Sequence, residues 1–467
     1  MRLSAFNLYV EGYPEPGATL VHNTLSGAFV VLDDETMAAL RRADAGEDLA
    51  AAERALVDDP DLSEREVGVV VASREAEELE FRQWFEAKRS RAASLDVLVC
   101  VNLACNFDCP YCSQAGILDG TVMKPEVADR TADWIAARAI EVGVGKVVIG
   151  FCGGEPLLHP ERIRRIATRV RQRGVALEFT LITNGYFLDQ EMLDTLIPLG
   201  LTGAKITLDG NGTTHKLTRV SKKGEDTYAR IFAHVIAASR RIRVNVNGNY
   251  TRETVHGFLP LLAELADGGL PAGTRVSLTP ALEGLQSLDW NGGGMCTWSD
   301  ADTAQHIAMQ DEALRRGFDT PPMGVVGPCE FHDHHSFAID PAGEIFKCPG
   351  FLGHAGWGIG HVDTGLEGEK YRRMVRATPQ ASCDGCAHRP GCGGGCVASV
   401  WVKSGEAAGV NCEKPFFERV KEEVVVRRYL LATSDTVSEA VAAFPSPRIS
   451  EPPSRSRRVA SLRVVAA

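Results

Sequence analysis

Three cysteines stand at C-x3-C-x2-C spacing in Cys105-Asn-Phe-Asp-Cys109-Pro-Tyr-Cys112, directly after the apolar run Val97–Leu103. A four-iron, four-sulfur cluster wants four ligands, so three closely spaced thiolates leave one iron open to a chelating small molecule, and that vacancy implies reactivity. Zinc is the other metal such thiolates suit, although zinc sites usually pair C-x2-C modules with a fourth ligand downstream. A second array fills the carboxyl-terminal third: Cys329, then Cys348 in Gly343-Glu-Ile-Phe-Lys-Cys348, then Cys383, Cys386, Cys392 and Cys396 at x2, x5 and x3 spacing, then Cys412. Thirteen cysteines without an evident secretion signal point to metal ligation rather than a disulfide framework, because cytosolic thiols are kept reduced.

The elements that must position these groups are legible as alternation. From Leu95 to about Trp290, short apolar runs alternate with helical stretches, which predicts parallel strands linked by crossover helices. The predicted strands are Leu95–Leu103, Lys146–Phe151, Ala176–Thr183, Gly203–Leu208, Arg243–Asn249 and Arg275–Ala281. Chemistry-bearing motifs fall at their carboxyl ends: Cys152-Gly153-Gly154-Glu155-Pro156 after the second, Thr183-Asn184-Gly185 on the third, and Thr207-Leu-Asp209-Gly210 on the fourth, followed by His215-Lys-Leu-Thr-Arg219. Paired glycines let a backbone approach a ligand, a carboxylate can pair with an ammonium, and the arginine fork can meet a carboxylate bidentately. The bland reading of the same residues is turn chemistry and a surface arginine.

C-x3-C-x2-C, G-G-E-P and the later motifs, in this order on strand ends, resemble the radical SAM superfamily. The resemblance implies a partial (β/α)6 barrel with its site at the strands' carboxyl ends. It also implies a 4Fe–4S cluster on Cys105, Cys109 and Cys112 that reductively cleaves S-adenosylmethionine to a 5′-deoxyadenosyl radical. Gly153, Gly154, Glu155, Asn184, Thr207 and Arg219 would bind that cofactor, with Glu155 on the methionyl ammonium and Thr207 and Arg219 on its carboxylate. The second array resembles the SPASM extension of peptide and protein maturases, which implies two auxiliary 4Fe–4S clusters and three clusters in all. Cys383, Cys386, Cys392 and Cys412 would fully ligate one, while Cys329, Cys348 and Cys396 hold the other. The fourth position of that last cluster is Cys296 or an open iron that takes a substrate group.

Members of the sulfatase-type group carry an aspartate base directly after the Gly-x4-Cys cysteine, where this chain has Pro349. Proline accepts no proton, and Asp333 or Asp340 would substitute only with a different loop geometry. The expectation is therefore a peptide-modifying oxidoreductase that installs an intramolecular cross-link, thioether ahead of carbon–carbon, in a ribosomally made precursor peptide. The alternatives are a formylglycine-generating maturase and a non-catalytic iron–sulfur electron carrier or peptide-binding scaffold. The expected partners are the precursor peptide and a low-potential electron donor of flavodoxin or ferredoxin type.

A net charge of −11 argues against nucleic-acid backbone binding, and no apolar run approaches membrane-spanning length, so a cytoplasmic protein is expected. The expected domains are 1–92, 93–320, 321–432 and a disordered tail over 433–467 rich in Pro, Ser and Arg. Residues 1–92, a β-rich start followed by helices at Glu35–Arg42, Leu49–Val57 and Glu75–Lys88, resemble the winged-helix-like α+β peptide-recognition domain of such maturases; the other reading is a structural cap. Cys100 and Cys152 read as buried structural residues, and His332, His334 and His335 as a polar loop.

Overall fold

The run Arg243-Val-Asn-Val-Asn-Gly-Asn-Tyr250 shows how the central sheet is built: Val244 and Val246 are buried, while the asparagines alternate with them on the opposite face. The computed structural model describes residues 2–63, 66–90, 93–112, 114–281, 299–322, 327, 329–354, 356–375, 381–404 and 409–447. The N-terminal part contains β1 (Arg2–Leu3), β2 (Asn7–Glu11), β3 (Ala18–Asn23), β4 (Phe29–Asp33), α1 (Asp34–Asp44), α2 (Ala51–Val57), α3 (Pro60–Ser63), β5 (Val70–Val71) and α4 (Arg74–Arg89). β2, β3 and β4 form an antiparallel sheet with β4 at an edge, and β1 pairs with β5.

The centre alternates β6 (Leu95–Cys100), α5 (Pro125–Glu141), β7 (Lys146–Cys152), α6 (Pro160–Gln172), β8 (Ala176–Thr183), α7 (Gln190–Leu196), β9 (Leu201–Thr207), α8 (Gly212–Thr218), α9 (Tyr228–Ser239), β10 (Arg243–Tyr250), α10 (Phe258–Asp267), β11 (Arg275–Pro280) and α11 (Asp300–Arg315). Each strand from β7 to β11 is parallel to its predecessor and beside it. Such sequential winding steps the helices along one face and leaves the other as a polar lumen, the plan of a partial barrel. α6 shows the helical side of this packing, burying Ile163, Ile166, Ala167 and Val170 at i, i+3, i+4 and i+7.

The predicted strands match in number and order, with shifted ends. The first stops at Cys100, because Asn102 and Leu103 turn to pair with Val122 and Thr121. The fourth begins earlier, at Leu201, and ends at Thr207.

Beyond the barrel come β12 (Ser336–Ile339), β13 (Glu344–Phe346), β14 (Gly360–His361), β15 (Gly365–Leu366), α12 (Gly368–Val375), α13 (Arg389–Cys392), α14 (Val397–Ser404), α15 (Lys414–Thr433) and α16 (Val437–Ala442). β12 adds parallel to β6, and β13–β15 extend the sheet as an antiparallel meander. The expectation of unpacked chain from residue 433 fails for its first part. Thr436 caps α16, Ala440 and Val441 are buried, and Arg427 on α15 pairs with Asp311 at 2.9 Å while donating to the Pro445 carbonyl at 2.8 Å. The Pro-, Ser- and Arg-rich stretch 448–467 lies outside the described residues. α15 also packs on the N-terminal sheet through Val425 and Val426 against Leu8, Val10 and Leu20. Among the described residues no helix is long and apolar enough to cross a membrane.

Candidate active site

The first cysteine trio lies on the loop that leaves β6, and backbone bonds hold that loop over the strand ends. Asp108 N donates to Val220 O at 2.8 Å, Lys222 N to Asn106 O at 2.9 Å, and Cys112 N to Cys109 O at 3.0 Å. The Cys109 thiol is within electrostatic reach of Cys105 and Cys112; burial pushes it up to about 11, with Arg219 opposing. Burial likewise raises Cys105. Among the described residues no three His, Cys, Asp or Glu side chains converge as a single-ion site requires. The thiolates of a cubane bind different irons, so they need proximity without that convergence.

Gly153 and Gly154 follow β7 and press against this loop. A Cβ on Gly153 would fall 2.6 Å from Asn102 O, and one on Gly154 would overlap the Ala104 carbonyl. The close approach that requires glycine is thus to the cysteine loop itself, sealed by Gly154 N to Asn102 O at 3.0 Å and Glu155 N to Ala104 O at 2.7 Å.

Glu155 is fully buried, which raises its pKa against the hydrogen bonds it accepts. Its carboxylate takes Asn184 N at 2.7 Å, the Thr183 hydroxyl at 2.7 Å and Leu157 N at 3.0 Å. A carboxylate has about four lone-pair sites, so one remains for a further donor. Asn184 ties the third strand to the cysteine loop, donating to Asn106 Oδ1 at 2.8 Å and accepting from Tyr186 N at 2.9 Å.

Arg219 is the least satisfied group in the site. Among the described residues its guanidinium makes one hydrogen bond, Nη1 to the Tyr111 hydroxyl at 3.3 Å, and its Nε is buried without a partner. It sits 5.1 Å above the Phe107 ring. Burial opposes its charge, but Tyr111, Cys109 and Asp209 outweigh this and raise its pKa. Two residues passed over as candidates hold it there. Tyr111, inside the cysteine motif, bonds Asp209, and Asp209 also accepts Asn249 N at 2.7 Å and the Thr218 hydroxyl at 3.2 Å. The only sequence signal for this set was proximity of Tyr111 and Asp209 to motifs already singled out. Thr207 ends β9 in register with Asn247, half-buried on the lumen face.

The second array forms two groups. Cys329 and Cys348 each lie within electrostatic reach of Cys396, and Cys348 of Cys329; burial pushes Cys348 up to about 12. Cys383 lies within such reach of Cys386 and Cys412, and Cys392 within reach of Cys383 and Cys386. Pairing of Ser336 with Asp96 sets the chain just after Cys329 at the amino end of β6. β6 has six residues, so the first and second trios are separated by roughly 17 Å of strand at about 3.3 Å per residue.

Lys347 is 1% exposed and donates to Ser336 O at 2.7 Å and to Asp333 O, clamping the Cys329 loop. His332 accepts from Cys329 N at 3.2 Å, and His334 accepts from Arg89 at 2.9 Å, so both serve as ties. Asp340 caps the turn at Ala342, Gly343 and Glu344, and Asp333 accepts from His335 N at 2.7 Å. Cys100 and Cys152 are buried neighbours across β6 and β7. Cys296 lies outside the described residues.

The radical SAM superfamily model matches residues 99–257. Mycofactocin maturase MftC of Mycobacterium ulcerans is 26% identical over 333 residues, covering 65% of this chain and 84% of the relative. PqqA peptide cyclase of Xanthomonas oryzae pv. oryzae is 26% identical over 380 residues, 76% of this chain and 93% of the relative. Among solved structures, native anSMEcpe with bound AdoMet and Kp18Cys peptide superposes with a TM-score of 0.58 at 18% identity, over 72% of this chain and 99% of that one; this likeness is one of fold.

Proposed function

We propose that this chain, whose residues 99–257 match the radical SAM superfamily model, is a radical SAM enzyme that acts on a ribosomally made precursor peptide and closes an intramolecular cross-link in it, with thioether favoured over carbon–carbon. The observation that carries the reading is Arg219: a deeply placed, under-bonded guanidinium beside the Cys105 and Cys109 thiols and a buried carboxylate with a lone pair to spare. That constellation fits an amino-acid head, carboxylate to Arg219 and ammonium to Glu155. An electron carrier or binding scaffold needs neither group.

A 4Fe–4S cluster on Cys105, Cys109 and Cys112 with S-adenosylmethionine supplies, when reduced, a carbon radical able to remove a hydrogen atom from the peptide. The chain's own residues orient the reactants. Arg219 fixes the methionyl carboxylate with help from the Thr207 hydroxyl, and Asn184 has one amide N–H left after its bond to Asn106. Asp209 and Tyr111 keep the guanidinium in place. The lumen below offers Asn245, Asn247 and Lys205 on neighbouring strands to a peptide's polar groups.

We assign Cys329, Cys348 and Cys396 to one auxiliary cluster and Cys383, Cys386, Cys392 and Cys412 to the other, which their grouping supports. Three protein ligands on the first leave an iron for Cys296 or, as we favour, a substrate thiolate. Formylglycine formation lacks a base: Pro349 holds its position, and Asp340 is consumed in a turn. The edge of β4, unpaired among the described residues, suits a peptide strand added to the N-terminal sheet, which favours peptide recognition over a passive cap. Electrons would come from a flavodoxin- or ferredoxin-type donor.

The test is anaerobic reconstitution followed by iron, sulfide and 5′-deoxyadenosine assays. Three clusters would bring iron to about twelve per chain. Replacing Cys105, Cys109 and Cys112 by alanine should remove about a third of it and all cofactor cleavage. Retained cleavage would refute the assignment.

A further inference from the structure

A cavity of about 360 Å³ between the N-terminal sheet, α4 and α15 plays no part in the chemistry above. Leu8, Phe417, Val420 and Val424 give it an apolar wall. Lys88, Lys421 and Arg428 also line it, and no Asp or Glu does among the described residues, in a chain of net charge −11. Lys421 is engaged by Glu418 at 3.4 Å. Arg428 has no hydrogen-bond or ion-pair partner among the described residues, and burial lowers its pKa.

The second observation is His22. It is 1% exposed, stacks on Phe29 at 4.3 Å, and holds Nδ1 3.0 Å from the Ala28 carbonyl. A carbonyl only accepts, so Nδ1 carries the proton and Nε2 presents a lone pair. Burial, reinforced by Arg428, holds the ring's pKa down at about 4, which keeps it neutral at pH 7. Among the described residues that Nε2 is buried with no partner, on the wall of the cavity. The site therefore asks for a negative charge at Arg428, a donor at His22 and an aliphatic group against Val420 and Val424.

We infer that this cavity binds a carboxylate on a short apolar stem beside an N–H donor. That chemistry belongs to an acidic residue flanked by aliphatic ones in a peptide, and to a free N-acylated amino acid. The volume lies near the low end of small-ligand pockets, which run from about 300 to 1,000 Å³, so it accommodates a short segment rather than a folded partner. The inference does not depend on the radical chemistry. Because β2, β3, α4 and α15 all border the cavity, its occupant would bridge the N-terminal part and the carboxyl-terminal helix.

Isothermal titration of the full chain, anaerobically reconstituted, with acetyl-Leu-Glu-Leu-amide, acetyl-Leu-Gln-Leu-amide and N-acetylleucine tests this. The glutamate peptide should bind about tenfold or more tightly than the glutamine peptide, with a similar loss in Arg428→Gln. His22→Phe keeps the ring stacking, removes the lone pair and should weaken binding several-fold. If N-acetylleucine binds as tightly as the glutamate peptide, the site serves free small acids; if it binds more weakly, a peptide segment is its ligand. Lys88→Gln is the second variant should Arg428→Gln misfold. Cofactor cleavage without peptide should be unchanged in both, which separates this site from the radical centre. Equal affinity for the Glu and Gln peptides, no binding by any of the three, or full affinity in a folded Arg428→Gln protein would overturn the inference.

Discussion

Replacing Arg219 by alanine should separate cofactor binding from cluster assembly. The side chain makes one long hydrogen bond, 3.3 Å to Tyr111, among the described residues, so its loss removes little internal bonding. The partner that suffers is the bound carboxylate. Truncating one member of a desolvated, hydrogen-bonded charge pair costs about 2–5 kcal/mol, which corresponds to a roughly thirty-fold to several-thousand-fold fall in affinity. Equilibrium binding of S-adenosylmethionine to the reconstituted variant, with iron measured on the same sample, reads this directly. Arg219→Lys should fall between the two, because an ammonium keeps the charge but loses the planar fork. Unchanged affinity at full iron content would refute the assignment. Iron loss in parallel with affinity would show instead that Arg219 chiefly props the cysteine loop through Phe107 and Tyr111.

Gly154→Ala should push the cysteine loop away from β7, lowering stability by about 1–3 kcal/mol and emptying the first iron site, as read by denaturation and iron analysis; normal values would contradict the packing. Asp311→Asn leaves Arg427 short of a buried partner and should cost up to about 3 kcal/mol in urea unfolding, with faster proteolysis beyond residue 433, Glu423 retaining part of the pairing. Asp133 is held down at about 2 by Arg169 and then Arg173, against an ordinary 3.8. A depressed acid stabilises above its unfolded pKa and loses that contribution as pH falls through the folded value. The effect is therefore complete above about pH 4 and fades towards pH 2, at a magnitude of about 1 kcal/mol or less because the pair is partly exposed. Acid unfolding of Asp133→Asn should lack that increment, and an unchanged pH profile would place the pair among those that contribute nothing.

The barrel was legible because each strand carries its own alternation and each motif follows a strand. Val244 and Val246 against Asn245 and Asn247 mark a two-faced strand before any tertiary contact is known. What stayed hidden depended on contacts distant in sequence. Tyr111 meets Asp209 across 98 positions, and nothing local marks either as a support for Arg219. Paired glycines suggest room for a ligand, whereas their bare faces press on Asn102 and Ala104, a contact that only the folded loop defines. α16 was missed because six residues give too short a period to stand out beside a Pro- and Ser-rich end, and its burial is conferred by α11 and α15. The pairing of β1 with β5 involves two residues from each, too few for any pattern.

The most direct test of the central claim is the mass of a short precursor peptide co-expressed with this protein, set against the same peptide co-expressed with the Cys105, Cys109 and Cys112 alanine variant. The peptide made with the intact protein should be lighter by two hydrogens, resist thiol alkylation at one cysteine, and fragment as a ring. Recovery of unmodified peptide with the intact protein under conditions where S-adenosylmethionine is cleaved, loss of a cysteine's sulfur with gain of an aldehyde, or a two-hydrogen loss in a peptide that fragments as a linear chain with every thiol alkylated, would contradict the cross-linking account.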